Sequence, residues 1–147
     1  MRVFLIITAI LFSEVAISKD IIKSIILACA SYENYLKCQN TLLVIGYTES
    51  GLMQVNSSGD NDIGIFQIHK NEIKREGYDR KALEKNIPYQ VYVASDILNR
   101  KKMECKNKYP KTWLACYNSA SPKQHQEYWK KLNRSAEFLG IDIRRLL

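Results

Sequence analysis

Residues 41–50 read TLLVIGYTES. Leu42, Leu43, Val44 and Ile45 are contiguous and apolar. A helix through them turns apolar side chains to most of its sides, so other elements must surround it. This segment therefore reads as the axis of a core. Asn40 is placed to cap its start and Gly51 to stop it. Glu49 then falls in the last turn of a buried helix, an unusual place for a charge.

The 147 residues suffice for one domain with a sizeable core and are too few for two. Other helices follow from periodicity. Asp20 is a candidate N-cap for a first helix. Ile21, Ile22, Ile25, Ile26, Cys29 and Tyr32 then recur at helical spacing. Residues 54–62 are rich in turn formers, and GIFQIH (64–69) reads as a short strand. Short helices are expected over 71–76 and 78–83. Pro88 opens a longer one that buries Val91, Val93, Ala94, Ile97 and Leu98. A helix from Lys111 to Ser119 carries Trp113, Leu114 and Cys116. A last helix from Pro122 carries Tyr128, Trp129, Leu132 and Phe138. Both tryptophans are expected in the core, and His125 at the surface. The fold class is α+β, mainly α, with one small β element.

The first residues read as an export signal. Arg2 is followed by the apolar VFLIITAILF and by Ala16-Ile17-Ser18, a small-x-small cleavage site. Residues 1–18 are assigned to it and 19–147 to the folded domain. The apolar run is short for a membrane span, and no stable membrane anchor is expected. Four cysteines (Cys29, Cys38, Cys105, Cys116) with an export signal suggest two disulfides. Sequence does not choose among the pairings. No CxxC and no zinc-like His spacing is present, so neither metal nor cofactor is implied. The net charge of +7 favours a polyanionic partner. Nucleic acid is set aside: no binding motif is recognisable, and an exported chain does not meet it.

A carboxyl at the end of a buried helix is partly desolvated, which raises its pKa. An acid that keeps its proton near neutrality can protonate the leaving oxygen of a glycosidic bond. The polar loop and the GIFQIH segment then supply a groove. Gly64 permits close chain approach, and Gln67 offers an amide.

Three segments in order carry a resemblance: Glu49-Ser50, then Asp62-x-Gly64-Ile65-Phe66-Gln67-Ile68, then Ala115-Cys116-Tyr117-Asn118-Ser119-Ala120. Over about residues 25–135 the chain resembles the lytic transglycosylase branch of the lysozyme superfamily, above all its small exported members attached to secretion and conjugation machinery. Cys29 ahead of the glutamate helix is similar to those members. Ser119-Ala120 departs from the family's Ala-Gly. The resemblance implies a lysozyme-like fold with its β element beside the cleft, and peptidoglycan glycan strands as substrate. It implies Glu49 as catalytic acid and base, forming 1,6-anhydro-muramic ends, in the periplasm or cell wall. A secretion, conjugation or phage apparatus is the implied partner. Tyr117 is expected to touch Glu49, with Gln67 and Asn118 binding sugar groups and Ser50 shaping the site.

Asp62 leaves an alternative open. Pointing into the groove, it gives a hydrolytic muramidase working with Glu49. Pointing away, it caps a turn beside Asn61; that turn role, or a supporting role among the substrate-binding residues, is the preferred reading. A non-catalytic glycan-binding assembly protein is the rival from another class. His69 is expected in a loop, and no Ser-His-Asp arrangement is supported.

Overall fold

The computed structural model describes residues 17–55, 61–119 and 121–147. Residues 1–16 of the export-signal assignment and residues 56–60 of the polar loop lie outside the described residues. Helix α1 spans Lys19–Cys29, α2 Tyr35–Ser50, α3 Lys70–Glu76, α4 Arg80–Lys85, α5 Ile87–Cys105 and α6 Pro122–Phe138. Two 3-10 helices cover Trp113–Tyr117 (η1) and Ile143–Leu146 (η2). Strands β1 (Asp62–Ile63) and β2 (Ile68–His69) form one antiparallel pair, with Asp62 opposite His69 and Ile63 opposite Ile68. The fold is thus mainly helical with a small β element.

Helix α2 is the axis of the core. Thr41 through Gly46 are all buried, as an all-round apolar segment requires. It packs against α1, α5, α6 and η2. Each fully buried aliphatic side chain here contributes about 2 kcal/mol of transfer free energy. Gly51 ends the helix in a left-handed conformation (φ 66°), its N–H returning to the Gly46 and Tyr47 carbonyls.

Several expected boundaries move. Asn34, not Asn40, caps α2: its Oδ1 accepts from the Lys37 N–H at 3.0 Å, and Asn40 lies inside the helix. Ser18, not Asp20, caps α1, leaving Asp20 in the first turn. Helix α4 starts two residues late because the Asp79 side chain caps it, accepting from the Ala82 N–H at 3.1 Å. Of GIFQIH only Ile68 and His69 are strand; residues 64–67 form the connecting turn. The helix expected over 111–119 contracts to η1. Its four consecutive residues Trp113–Cys116 are all buried.

Disulfides join Cys29 to Cys38 and Cys105 to Cys116. The first ties α1 to α2. The second ties the end of α5 to η1. His125 is not at the surface. It is 4% exposed, stacks on Tyr109 at 3.9 Å, and places Nε2 2.9 Å from Thr112 Oγ1. Its Nδ1 lies 3.7 Å from Cys116 Sγ. Burial pushes its pKa down, favouring the neutral ring that these contacts accept.

Candidate active site

Glu49 stands in the last turn of α2, where the helix leaves the core and meets a cleft of about 390 Å³. Helix α6 lies along α2 and fixes the glutamate from behind. Three contacts form the seam: Tyr47 stacks on Phe138 at 4.9 Å, the Thr48 hydroxyl donates to Ser135 Oγ at 2.8 Å, and the Tyr128 hydroxyl donates to Glu49 Oε1. Tyr128, Leu132, Ser135 and Ala136 share the buried face of α6, so one helical stripe builds both the packing and the hydrogen bond.

Desolvation dominates the electrostatics of Glu49 and pushes its pKa up to about 7. The Tyr128 hydrogen bond opposes this by stabilising the carboxylate. The charge of Asp62 raises the pKa further, and Lys131 lowers it. At neutral pH the group therefore passes readily between acid and carboxylate, as a general acid and base needs.

The cleft also takes in Asp62, Gln67, Tyr117 and Asn118. Asp62 is the first residue of β1 and lines the cleft. Gln67 sits in the left-handed region (φ 46°) at the end of the turn, a strained position for a residue with a side chain. Its amide donates to the Gly64 carbonyl at 2.8 Å and to the Val55 carbonyl at 3.1 Å, so it braces the turn.

Tyr117 does not supply the hydrogen bond expected for Glu49. Its hydroxyl donates to the Phe66 carbonyl at 2.9 Å, tying η1 to the β element. Burial and the nearby Glu49 charge push its pKa well up, so it stays a neutral donor. Tyr128 takes the expected role instead. Ser50 is turned inward: its hydroxyl donates to Ile65 O at 2.7 Å and accepts from the Met53 N–H at 3.2 Å. It latches the helix end to the β element and does not line the cleft.

Beneath the turn lies Gln90, 0% exposed. Its Oε1 accepts from the Ile65 N–H at 2.9 Å, and its Nε2 donates to Leu83 O at 2.7 Å and Gln54 Oε1 at 2.8 Å. A Cβ on Gly64 would sit 2.3 Å from that Oε1, so glycine is what lets the turn rest on the amide.

Sequence reasoning placed Tyr128 only in the apolar stripe of the last helix. A tyrosine facing the end of the glutamate helix carries no sequence mark of its own. His69, Asn71, Glu72, Arg75, Ile97 and Lys101 also line the cleft. His69 is the N-cap of α3, its Nδ1 accepting from the Asn71 N–H at 3.2 Å. Among the described residues no cluster of His, Cys, Asp and Glu could hold a metal ion. None of the described helices is long and apolar enough to cross a membrane.

A helical domain whose central buried helix delivers one proton-holding carboxyl to an open cleft has the build of a lysozyme-like glycosidase. The Transglycosylase SLT domain family matches residues 24–138, and the chain belongs to that family. It is therefore a lytic transglycosylase of the lysozyme-like superfamily, and its substrate is peptidoglycan. Comparison with curated proteins and with solved structures gives no match.

Proposed function

We propose that Glu49 carries out both proton transfers of peptidoglycan cleavage. In its protonated form it gives its proton to the oxygen linking N-acetylmuramic acid to the next N-acetylglucosamine. That C1–O bond breaks as positive charge develops on the muramic ring. The resulting carboxylate takes the proton of the same sugar's C6 hydroxyl. The oxygen attacks C1, and a 1,6-anhydro ring closes. No water is consumed and no second acid is needed.

The observation that carries this reading is the raised pKa of a half-buried Glu49 facing the cleft. Tyr128 orients its carboxyl as a positioning residue. Asn118 and Gln67 contact sugar amide or hydroxyl groups. Tyr117 and Ser50 hold the cleft wall through their bonds to Phe66 and Ile65. Asp62 supports the developing positive charge.

The presence of Asp62 in the same cleft also favours a second reading, hydrolysis by Glu49 and Asp62 together. The two differ in product: anhydro ends for the first, reducing ends for the second. Digestion of purified peptidoglycan by the wild-type chain and by Glu49→Gln, with mass analysis of fragment ends, tests both.

Export to the periplasm or wall, and local wall opening for a secretion, conjugation or phage apparatus, complete the proposal. The +7 charge suits an anionic wall, and the export-like segment at residues 1–18 supplies the route.

A further inference from the structure

Helix α5 serves two surfaces. Ile97 and Lys101 line the Glu49 cleft. Asn99 lies two residues from each of them, about 160° around the helix axis from both. With Tyr92 and Ser95 it forms a stripe at helical spacing that lines a separate groove of about 410 Å³. Leu27 of α1 and Tyr32, from the turn after α1, form the opposite wall. A second hollow of about 380 Å³ shares Tyr32, Ser95 and Asn99 and continues to Lys37 and Lys102. From Tyr92 to Lys102 this line along α5 is about 15 Å long.

We propose that this groove is a second glycan-strand site, remote from the cleft, in which Tyr32 and Tyr92 pack against sugar rings and Lys37 and Lys102 take a strand carboxylate. It goes beyond the Glu49 proton transfers and does not depend on them.

The groove keeps large apolar side chains in the open. Leu27 is 65% exposed, Tyr92 61% and Tyr32 40%. Such grouping on a surface marks a binding site. The Tyr32 hydroxyl lies 3.2 Å from Ser95 Oγ and accepts from Asn99 Nδ2 at 3.2 Å. The ring is thereby fixed across the groove. An amide bonds at up to four points, and this contact uses one. A pyranose ring has a C–H face that packs on an aromatic ring, and a rim of hydroxyl and acetamido groups that need short-range partners. Tyrosine beside serine and asparagine meets both needs. A partner helix would instead need a longer apolar stripe.

Charge agrees at the far end. Burial first, then the charges of Lys102 and Lys106, push the Lys37 pKa down, so three ammonium groups converge there. Lys102 Nζ sits 5.8 Å above the Trp113 ring. Lys37 donates to the Leu147 carbonyl, and an ammonium has three donors. Glu33, in the same hollow, offsets part of the charge. Peptidoglycan strands alternate neutral N-acetylglucosamine with N-acetylmuramic acid, whose lactyl group ends in a carboxylate when its peptide is removed. A second strand contact keeps the enzyme on the wall between cuts.

The test measures binding by the full chain carrying Glu49→Gln, which spares the ligand. The probes are strands stripped of peptide by an amidase and a chitin oligosaccharide, which has no carboxylate. Adding Tyr92→Ala is expected to weaken binding of both about fivefold. Adding Lys102→Gln is expected to weaken only the stripped strands, by a similar factor. With Glu49 intact, both variants should keep the wild-type Tm and cut a short soluble fragment at the wild-type rate, since that fragment cannot reach both sites. Unchanged strand binding in Tyr92→Ala overturns the proposal. That is also the result if the face docks a protein or a second copy of the chain, which sedimentation would then detect. Tm and short-fragment cleavage falling together with binding shows a bracing role and overturns it too. Equal effects of Lys102→Gln on the two probes defeat the carboxylate contact. Wild type that cuts no peptidoglycan defeats the Glu49 reading and leaves the binding result standing.

Discussion

The hydroxyl of Tyr128, on α6, donates a hydrogen bond to Oε1 of Glu49, at the end of α2. The two residues are 79 positions apart, and the bond joins α6 to the last turn of α2. It holds one carboxyl oxygen and stabilises the charged form, against the desolvation that favours the proton. Tyr128→Phe keeps the buried ring and removes the bond. Cleavage is expected to fall about tenfold, within the range that positioned acid–base groups supply. Without the bond, the largest effect opposing desolvation is lost, only the Lys131 charge still lowers the pKa, and the pKa of Glu49 rises. The alkaline limb of the kcat/KM profile, which reports loss of the acid's proton, should then move to higher pH.

The raised pKa also has a stability signature. The folded state holds the Glu49 proton up to about pH 7, whereas the unfolded state releases it near the ordinary glutamate value of 4.5. Between these values the folded chain binds more protons, so its stability falls as pH rises. The cost is complete above pH 7 and reaches up to about 3 kcal/mol. Glu49→Gln removes this dependence. Urea unfolding at pH 4.5 and pH 8 should show wild type losing stability relative to the variant.

Gly64 is expected to be among the least tolerant positions. Its φ is +77°, and an added Cβ meets Gln90 Oε1 at 2.3 Å and Cδ at 2.6 Å. Gln90 cannot withdraw without losing bonds to Ile65, Leu83 and Gln54. Gly64→Ala should cost about 2–4 kcal/mol, read from the urea midpoint.

The Cys105–Cys116 bridge closes a short loop, with a sequence separation of 11. Replacing both cysteines by serine should cost about 3 kcal/mol. Cys116 directly precedes Tyr117, whose hydroxyl ties η1 to the Phe66 carbonyl. Activity well below Tm should therefore fall as well, while replacement of Cys29 and Cys38, far from that tie, should affect stability more than rate.

Much of the scaffold was legible in the residues. The run Leu42–Ile45 demanded a buried helix, and Pro88 and Pro122 marked helix starts because proline is favoured there. Local caps were harder: Asn34 and Asn40 are the same residue type, and only tertiary packing decides how far α2 extends. The cleft was legible where residues lie close to Glu49 in a motif, as Gln67, Tyr117 and Asn118 do. The partner of the glutamate was not. Tyr117 and Tyr128 both follow it at long range, and the path of α6 decides which hydroxyl arrives. His125 illustrates the same limit. Among Lys123, Gln124 and Gln126 it reads as solvated, yet Tyr109 and Thr112 cover it.

The most direct test is digestion of purified peptidoglycan by wild type and by Glu49→Gln, with mass analysis of every fragment end. Wild type is expected to release fragments ending in 1,6-anhydro-muramic acid, and the folded variant to release none. Undiminished cleavage by the variant, or wild-type fragments with reducing ends throughout, would contradict the assignment of both proton transfers to Glu49.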